Sequence, residues 1–302
     1  MIASVTQLAY ENDKVMLLTG DLGFGVFEEF ENKFPKQYLN VGVAEQNMIG
    51  VASGLALNGR IVYVYSIGNF PTLRCLEQIR NDACYHELNI NIIAAGGGFS
   101  YGALGMSHHA TEDLSILRAL PGMTVIAPST AWEAGEAVKS LANIPGPGYL
   151  RIDKSKAADP HKASQYYVGK SIELRKGKDF TIFVAGGIAE EALEAADDLS
   201  DSGIECSVIS MHTIKPIDVE AIMLASERTR GILVLEENNR IGGLGGAITE
   251  VCMDSSILPK SFVRLGMPDK YSSVVGTQRY LRKYYGISKE NVIAEILKVC
   301  SK

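Results

Sequence analysis

Along the 302 residues, short β-rich apolar runs alternate with stretches of helical periodicity. The first half carries "VMLLTG", "IVYVYS", "INIIAAGGG", "MTVIAPS" and "YLRI"; the second carries "FTIFVAGG", "CSVIS", "GILVLEE" and "FVRLG". Between most of them lie "AEQNMIGVASGLAL", "AWEAGEAVKSLAN", "AEEALEAADDLSDSG" and "IDVEAIMLASE", whose apolar positions recur at helical spacing. Such alternation predicts an α/β chain, with parallel sheets covered by helices on both faces. Most runs exit through Gly, Ser or Pro, and in open α/β sheets ligands sit outside those carboxyl ends. The pattern breaks from Asp153 to Asp179, a polar, Lys-rich segment that reads as a crossover linker with room for a small hairpin. The expected division is residues 1–155, a linker over 156–178, and 179–302.

One helical stretch carries an anomaly. In "LNVGVAEQNMIGVASGLALNG", Met48, Ile49, Ala52, Leu55 and Ala56 mark a buried stripe, and one turn back the same stripe contains Glu45. An unpaired carboxylate facing a core is costly. Its ordinary explanation is a first-turn Glu favouring the helix dipole.

Composition narrows the classes. A net charge of −6 argues against a nucleic-acid or membrane-surface binder, and no apolar run is long enough to span a bilayer. The start "MIASVTQLAYENDK" lacks the basic and apolar regions of a secretory signal, and the five scattered cysteines show no metal or CxxC spacing. Reduced thiols and a cytoplasmic location are the expectation.

Four segments, in order, carry a resemblance: "VGVAEQNMIGVASGLALNG", "GMSHHATEDLSILRALPGMTVIAPS", "VLEENNRIGGLGGAITEVC" and "LGMPDKYSSVVGTQRYLRKYYGI". Over almost its whole length the chain resembles the carboxyl-terminal portion of the transketolase family, which includes 1-deoxyxylulose-5-phosphate synthase. The resemblance implies a pyrimidine-binding domain of the thiamine-diphosphate fold followed by a transketolase C-terminal α/β domain, with thiamine diphosphate and Mg2+ as cofactors. It implies that Glu45 hydrogen-bonds N1′ of the cofactor's aminopyrimidine and so promotes the imino tautomer. An apolar surround makes that proton sharing easier than in water.

The same resemblance assigns further residues. His108 falls on the family's histidine that handles substrate oxygens; His109 beside it is a second substrate candidate, and Thr111 is a natural N-cap for the next helix. Two exposed loop imidazoles, or a metal pair, are the plainer alternatives, though no carboxylate ligand pattern accompanies them. In "YSIGNFPTLRCLEQIRND", Phe70 corresponds to the aromatic that stacks on the aminopyrimidine, with Tyr65 near the cofactor and Arg74 near the substrate. A core aromatic, a buried strand Tyr and a solvated helix Arg are the alternatives. Asp21, in "LLTGDLGFG", lies where the family places a loop beside the cofactor, but Asp and Gly favour turns anyway. Arg151 and Lys154, in "GYLRIDKSK", fall where family members put basic groups for a sugar phosphate; solvated linker charges are equally compatible. Lys offers only a point charge where Arg can bind phosphate bidentately. Two Gly-rich runs are not nucleotide motifs, because neither combines strand, G-x-G-x-x-G, helix and distant acid. "AAGGGFSYGALG" reads as a mobile wall of the substrate cleft and "IGGLGG" as close packing at an interdomain or subunit contact.

The family's GDG motif, which grips magnesium and the cofactor's diphosphate, does not occur in this sequence. The resemblance therefore implies half of a split enzyme. An N-terminal transketolase subunit would carry the diphosphate and Mg2+ site, in an α2β2 heterotetramer acting on a sugar or sugar phosphate. The leading expectation is a transferase moving a two-carbon ketol unit from a ketose to an aldose. The alternatives are a split deoxyxylulose-phosphate-synthase-like ligase, a 2-oxoacid dehydrogenase beta-type subunit, and a non-catalytic paralogue. "GGGFSYGALGMS" lacks the charged groups that transketolases and the synthase place before the histidine, which puts the usual sugar-phosphate substrates in question.

Overall fold

The first apolar run becomes a strand, β1 (Val15–Thr19), buried at every position because Val15 and Leu17 pack into one apolar cluster and Met16 and Leu18 into another on the opposite face. In the computed structural model, which describes residues 1–154, 157–159 and 165–301, the chain forms two sheets. Before β1 comes α1 (Ile2–Glu11); after it come α2 (Glu28–Lys33), β2 (Tyr38–Asn40), α3 (Glu45–Leu57) and β3 (Ile61–Ile67). Then follow α4 (Leu76–Gln78), which runs into a π-helical turn over Ile79–Cys84, β4 (Ile90–Ala95), α5 (Asp113–Arg118), β5 (Thr124–Ile126), α6 (Ala131–Leu141) and β6 (Gly148–Ile152). These six strands are mutually parallel, in the order β5-β6-β4-β3-β1-β2. The chain steps from β1 outward to β2 and returns to β3 on β1's other side. The strand exits around β1 and β3 therefore form a topological switch point.

The second half contributes β7 (Ile172–Arg175), β8 (Phe180–Ala185), α7 (Ala189–Ser200), β9 (Cys206–Ser210) and β10 (Thr213–Lys215). It continues with α8 (Val219–Arg228), β11 (Ile232–Asn239), α9 (Leu244–Asp254), β12 (Phe262–Met267), α10 (Gln278–Tyr284) and α11 (Lys289–Cys300). Its sheet runs β12-β11-β8-β9-β7, parallel except for β7 against β9. β7 lies within the stretch expected to be linker and pairs into this sheet. Ser155, Lys156 and residues 160–164 of that stretch lie outside the described residues.

The halves are not separate beads. β10 leaves the second half and pairs antiparallel with β5 at the edge of the first sheet. Lys215 Nζ on β10 donates to the carbonyls of Arg118 and Leu120 at 3.1 and 2.6 Å. One apolar cluster runs through both halves, joining Leu114, Leu117 and Met123 to Phe183, Ile214, Val234 and Leu244.

A buried ionic network crosses the same boundary. Arg151 donates to the Glu237 carbonyl at 2.8 Å and approaches Asp113 at 3.4 Å; Arg282 donates from Nε to Glu237 and from Nη1 to Glu190, both at 2.6 Å. Glycines permit this closeness. A Cβ at Gly97 would collide with the Arg151 side chain, and one at Gly98 with Glu237. The "AAGGGFSYGALG" run thus begins as tight packing over buried charges, not as a mobile wall. "IGGLGG" packs between the halves as expected: Ser115 donates to the Ile241 carbonyl at 2.8 Å and Arg118 to that of Gly242 at 3.0 Å. The cap expected at Thr111 is displaced. α5 starts at Asp113 after Glu112, because the Thr111 hydroxyl donates to Glu112 instead.

Candidate active site

The exits of β1 and β2 and the start of α3 meet beside the switch point. Asn40, the last residue of β2, ties them together. Its Oδ1 accepts from the backbone N–H of Asp21 and of Gly42, both at 3.0 Å, while its Nδ2 donates to Asp21 Oδ1 at 3.0 Å. Asp21 is held in a left-handed conformation, with φ of 58°. At Gly20 a Cβ would stand 3.5 Å from the Gly42 carbonyl oxygen and 3.8 Å from Glu45 Cγ, so the β1 exit lies against the start of α3.

Glu45 opens α3 and is 3% exposed, on one face with buried Met48, Ile49 and Ala52. The stripe read from periodicity is real, and the acid is on it. Leu55 and Ala56 are half-buried at its far end. Among the described residues its single hydrogen bond comes from Arg74 Nη1 to Oε2, at 2.9 Å, so Oε1 has none. Cys75 is close enough to sense this acid: burial first, then the Glu45 charge, push its thiol up to about 12. The apolar surround expected for this carboxyl is thus present on its core side.

Facing Glu45 is the segment after β3. The Arg74 guanidinium lies 4.6 Å from the centre of the Phe70 ring, and Phe70 in turn meets His108 edge-on at 5.2 Å. His108 is half-buried, and its Nδ1 is 3.1 Å from the Ser107 hydroxyl. Glu45, Arg74, Phe70 and His108 therefore form one line of contacts, drawn from three separate stretches of the chain. Asn69 fixes the geometry by donating to the His109 carbonyl at 2.7 Å. In the segments that carry or adjoin these groups, Phe24, Val43, Leu104 and Met106 are exposed apolar side chains.

The other expected residues fall differently. Tyr65 is half-buried at the end of β3, edge-on to Phe27 at 4.8 Å, and burial pushes its phenol above the ordinary value. His109 is not in the cleft: it is buried against Phe99, with Nε2 3.1 Å from the Gly102 carbonyl. That bond requires the proton on Nε2, and it packs the imidazole into the wall against Phe99. Arg151 is 1% exposed and bound within the interdomain network. Lys154 is exposed, in a separate cleft of about 290 Å³ shared with Glu190, Glu194 and Arg279. Sequence reasoning missed Asn40 and Asn69. Asn40 had a local signal, since Asn two residues before Gly is turn chemistry.

Two family models cover most of the chain: the transketolase pyrimidine-binding domain over residues 3–159 and the transketolase C-terminal domain over residues 169–292. The chain belongs to the transketolase family. An apulose-4-phosphate transketolase subunit from Phocaeicola vulgatus is 33% identical across 99% of this chain and 96% of its own length. 1-Deoxy-D-xylulose-5-phosphate synthase of Syntrophotalea carbinolica is 31% identical over 97% of this chain but only 46% of its own. A solved structure described as a split gene transketolase, an inactive β4 tetramer, superposes with a TM-score of 0.90 at 34% identity, covering 99% of this chain and 96% of that one. The two-domain α/β architecture is thus that of the C-terminal half of transketolases. No helix among the described residues is long and apolar enough to cross a membrane.

Proposed function

We propose that this chain is the pyrimidine-binding and C-terminal subunit of a two-component transketolase, acting with a separate subunit that binds the diphosphate and Mg2+. The observation that carries the reading is Glu45: a buried carboxyl with one oxygen free, linked through Arg74 to the face of Phe70 and on to the His108 imidazole. These groups suit an aminopyrimidine, a flat ring that offers a nitrogen to an acid and a face to an aromatic.

When bound, thiamine diphosphate supplies the carbon that accepts and releases the two-carbon unit. Glu45 would hold and share the proton at the ring nitrogen. Phe70 would fix the ring plane, and the Asn40–Asp21 clasp would keep the β1 loop in place beside it. His108, touching Phe70 and backed by Ser107, would take and return protons at the substrate's oxygens. Arg74 is the cation nearest to an anionic substrate in this line. The exposed apolar side chains Phe24, Val43, Leu104 and Met106 would be covered by the partner subunit. Transfer moves the ketol unit from a ketose to an aldehyde, leaving the donor shortened and the acceptor lengthened by two carbons. The similarity to a transketolase subunit and to a split gene transketolase supports the two-component assembly.

The test is Glu45→Ala in the reconstituted complex, read by the rate at which the cofactor's C2 proton exchanges with deuterated solvent and by turnover of a ketose phosphate. Both are expected to fall by a factor of about 10² or more. Unchanged exchange refutes the role. Consumption of pyruvate in place of the ketose would assign the synthase-like reaction, which the similarity to the synthase keeps in view.

A further inference from the structure

The Glu45–Arg74 contact has a second meaning. A carboxyl buried this deeply needs a partner, and here the partner comes from the loop after β3, from a side chain that is itself 49% exposed. Arg74 does not merely pair with Glu45. Its guanidinium also covers the face of Phe70, with its carbon 4.6 Å from the ring centre. A guanidinium is planar and carries in-plane N–H donors, so it stacks on aromatic rings and donates edge-on to carboxylates. An aminopyrimidine protonated at its ring nitrogen offers the same two features. The two groups would compete for the same carboxyl, where Arg74 already holds Oε2, and for the same ring face.

We propose that Arg74 plugs the pyrimidine slot of the empty subunit and that cofactor binding requires its guanidinium to leave Glu45 and Phe70. This rests on the reading of Glu45 and Phe70 as the ring-holding pair. The plug keeps the buried acid neutralised while the subunit is alone. Its own exposure gives it water to swing into, so the exchange needs no rearrangement of the core. Arg74 sits in the single 3-10 turn Leu73–Cys75, anchored behind by the buried Cys75, whose Sγ donates to the Phe70 carbonyl at 3.4 Å. That anchoring keeps backbone and aromatic fixed while the long side chain moves.

The experiment titrates thiamine diphosphate with Mg2+ calorimetrically into the complex of this chain with its diphosphate-binding subunit, for wild type, Arg74→Met, Arg74→Lys and Glu45→Gln. A plug occupying about nine-tenths of the empty sites lowers apparent affinity about tenfold, so Arg74→Met is expected to bind roughly tenfold tighter. Arg74→Lys keeps the charge that attracts the diphosphate but has no flat face to stack, and is also expected to bind tighter than wild type. Glu45→Gln is expected to bind more weakly. If Glu45→Gln weakens binding while neither Arg74 variant tightens it, the plug is overturned and the Glu45 reading survives. If Glu45→Gln changes nothing, both fail. Should Arg74→Met not fold, Arg74→Lys and a crystal structure of the cofactor-bound wild-type complex decide. Persistence of the Arg74–Glu45 contact beside the bound ring would overturn the proposal.

Discussion

Glu237→Gln probes whether the C-terminal half holds the wall of the cleft. Glu237 is 1% exposed, and its two oxygens accept from the Phe99 backbone N–H, from Gln278 Nε2 and from Arg282 Nε. Every neighbour is a donor. An amide in its place must turn an NH2 toward one of them, and Arg282 loses a charge partner while remaining buried. Breaking a buried pair costs about 3–5 kcal/mol, and because Arg282 keeps Glu190 the loss falls at or below the lower end of that range, about 2–3 kcal/mol. For a chain of 302 residues the unfolding entropy is roughly 0.6 kcal/mol/K, so the melting temperature should drop by about 3–5 °C. The assay is thermal unfolding of the full chain, with hydrogen exchange followed across Phe99–Leu104. That segment should exchange faster in the variant, because Phe99 begins the loop leading to His108. A shift below about 1 °C with unchanged exchange would refute the idea that this carboxylate couples the halves. A cycle with Arg282→Met should return a coupling energy above about 1 kcal/mol.

Two further perturbations test the electrostatics and the clasp. Glu133 is buried, accepting from the Ser129 N–H at 2.6 Å and the Ser210 hydroxyl at 3.0 Å, and burial pushes its carboxyl up to about 7. The unfolded chain then releases this proton near the ordinary carboxyl value while the folded chain keeps it, so stability falls as pH rises from about 4.5 to 7, by roughly 3 kcal/mol at most. Glu133→Gln should flatten that part of the slope in urea midpoints measured at pH 5 and pH 7, and an unaltered slope contradicts it. Asn40→Ala removes the clasp on Asp21 and Gly42. It should change stability by no more than about 1–2 kcal/mol, because the site is exposed, yet weaken thiamine diphosphate binding in the assembled complex. Equal binding would remove the clasp from the site.

Glu45 was legible because the evidence for it is local: a helix repeats every 3.6 residues, so burial of Met48 and Ile49 implies burial one turn earlier. The parallel α/β character was legible for the same reason, since buried strands are continuous apolar runs whatever their neighbours. β10 was not. Three residues leave no period to read, and its partner β5 lies far back in the chain. The burial of Arg151 was not legible either, because a cation closing an apolar run looks solvated until Asp113 and Glu237 arrive from distant elements. The burial of His109 was equally hidden: sequence cannot tell which of two adjacent imidazoles turns inward, and here Phe99 and the Gly102 carbonyl decide it.

By itself, then, the sequence determined the layers, the family and the one acid whose burial follows from its own helix. Only the tertiary structure decided which basic and aromatic groups stand in front of that acid. Their meeting depends on loop paths and interdomain packing between residues that share no local period, and it is there that Arg74 came to face Glu45.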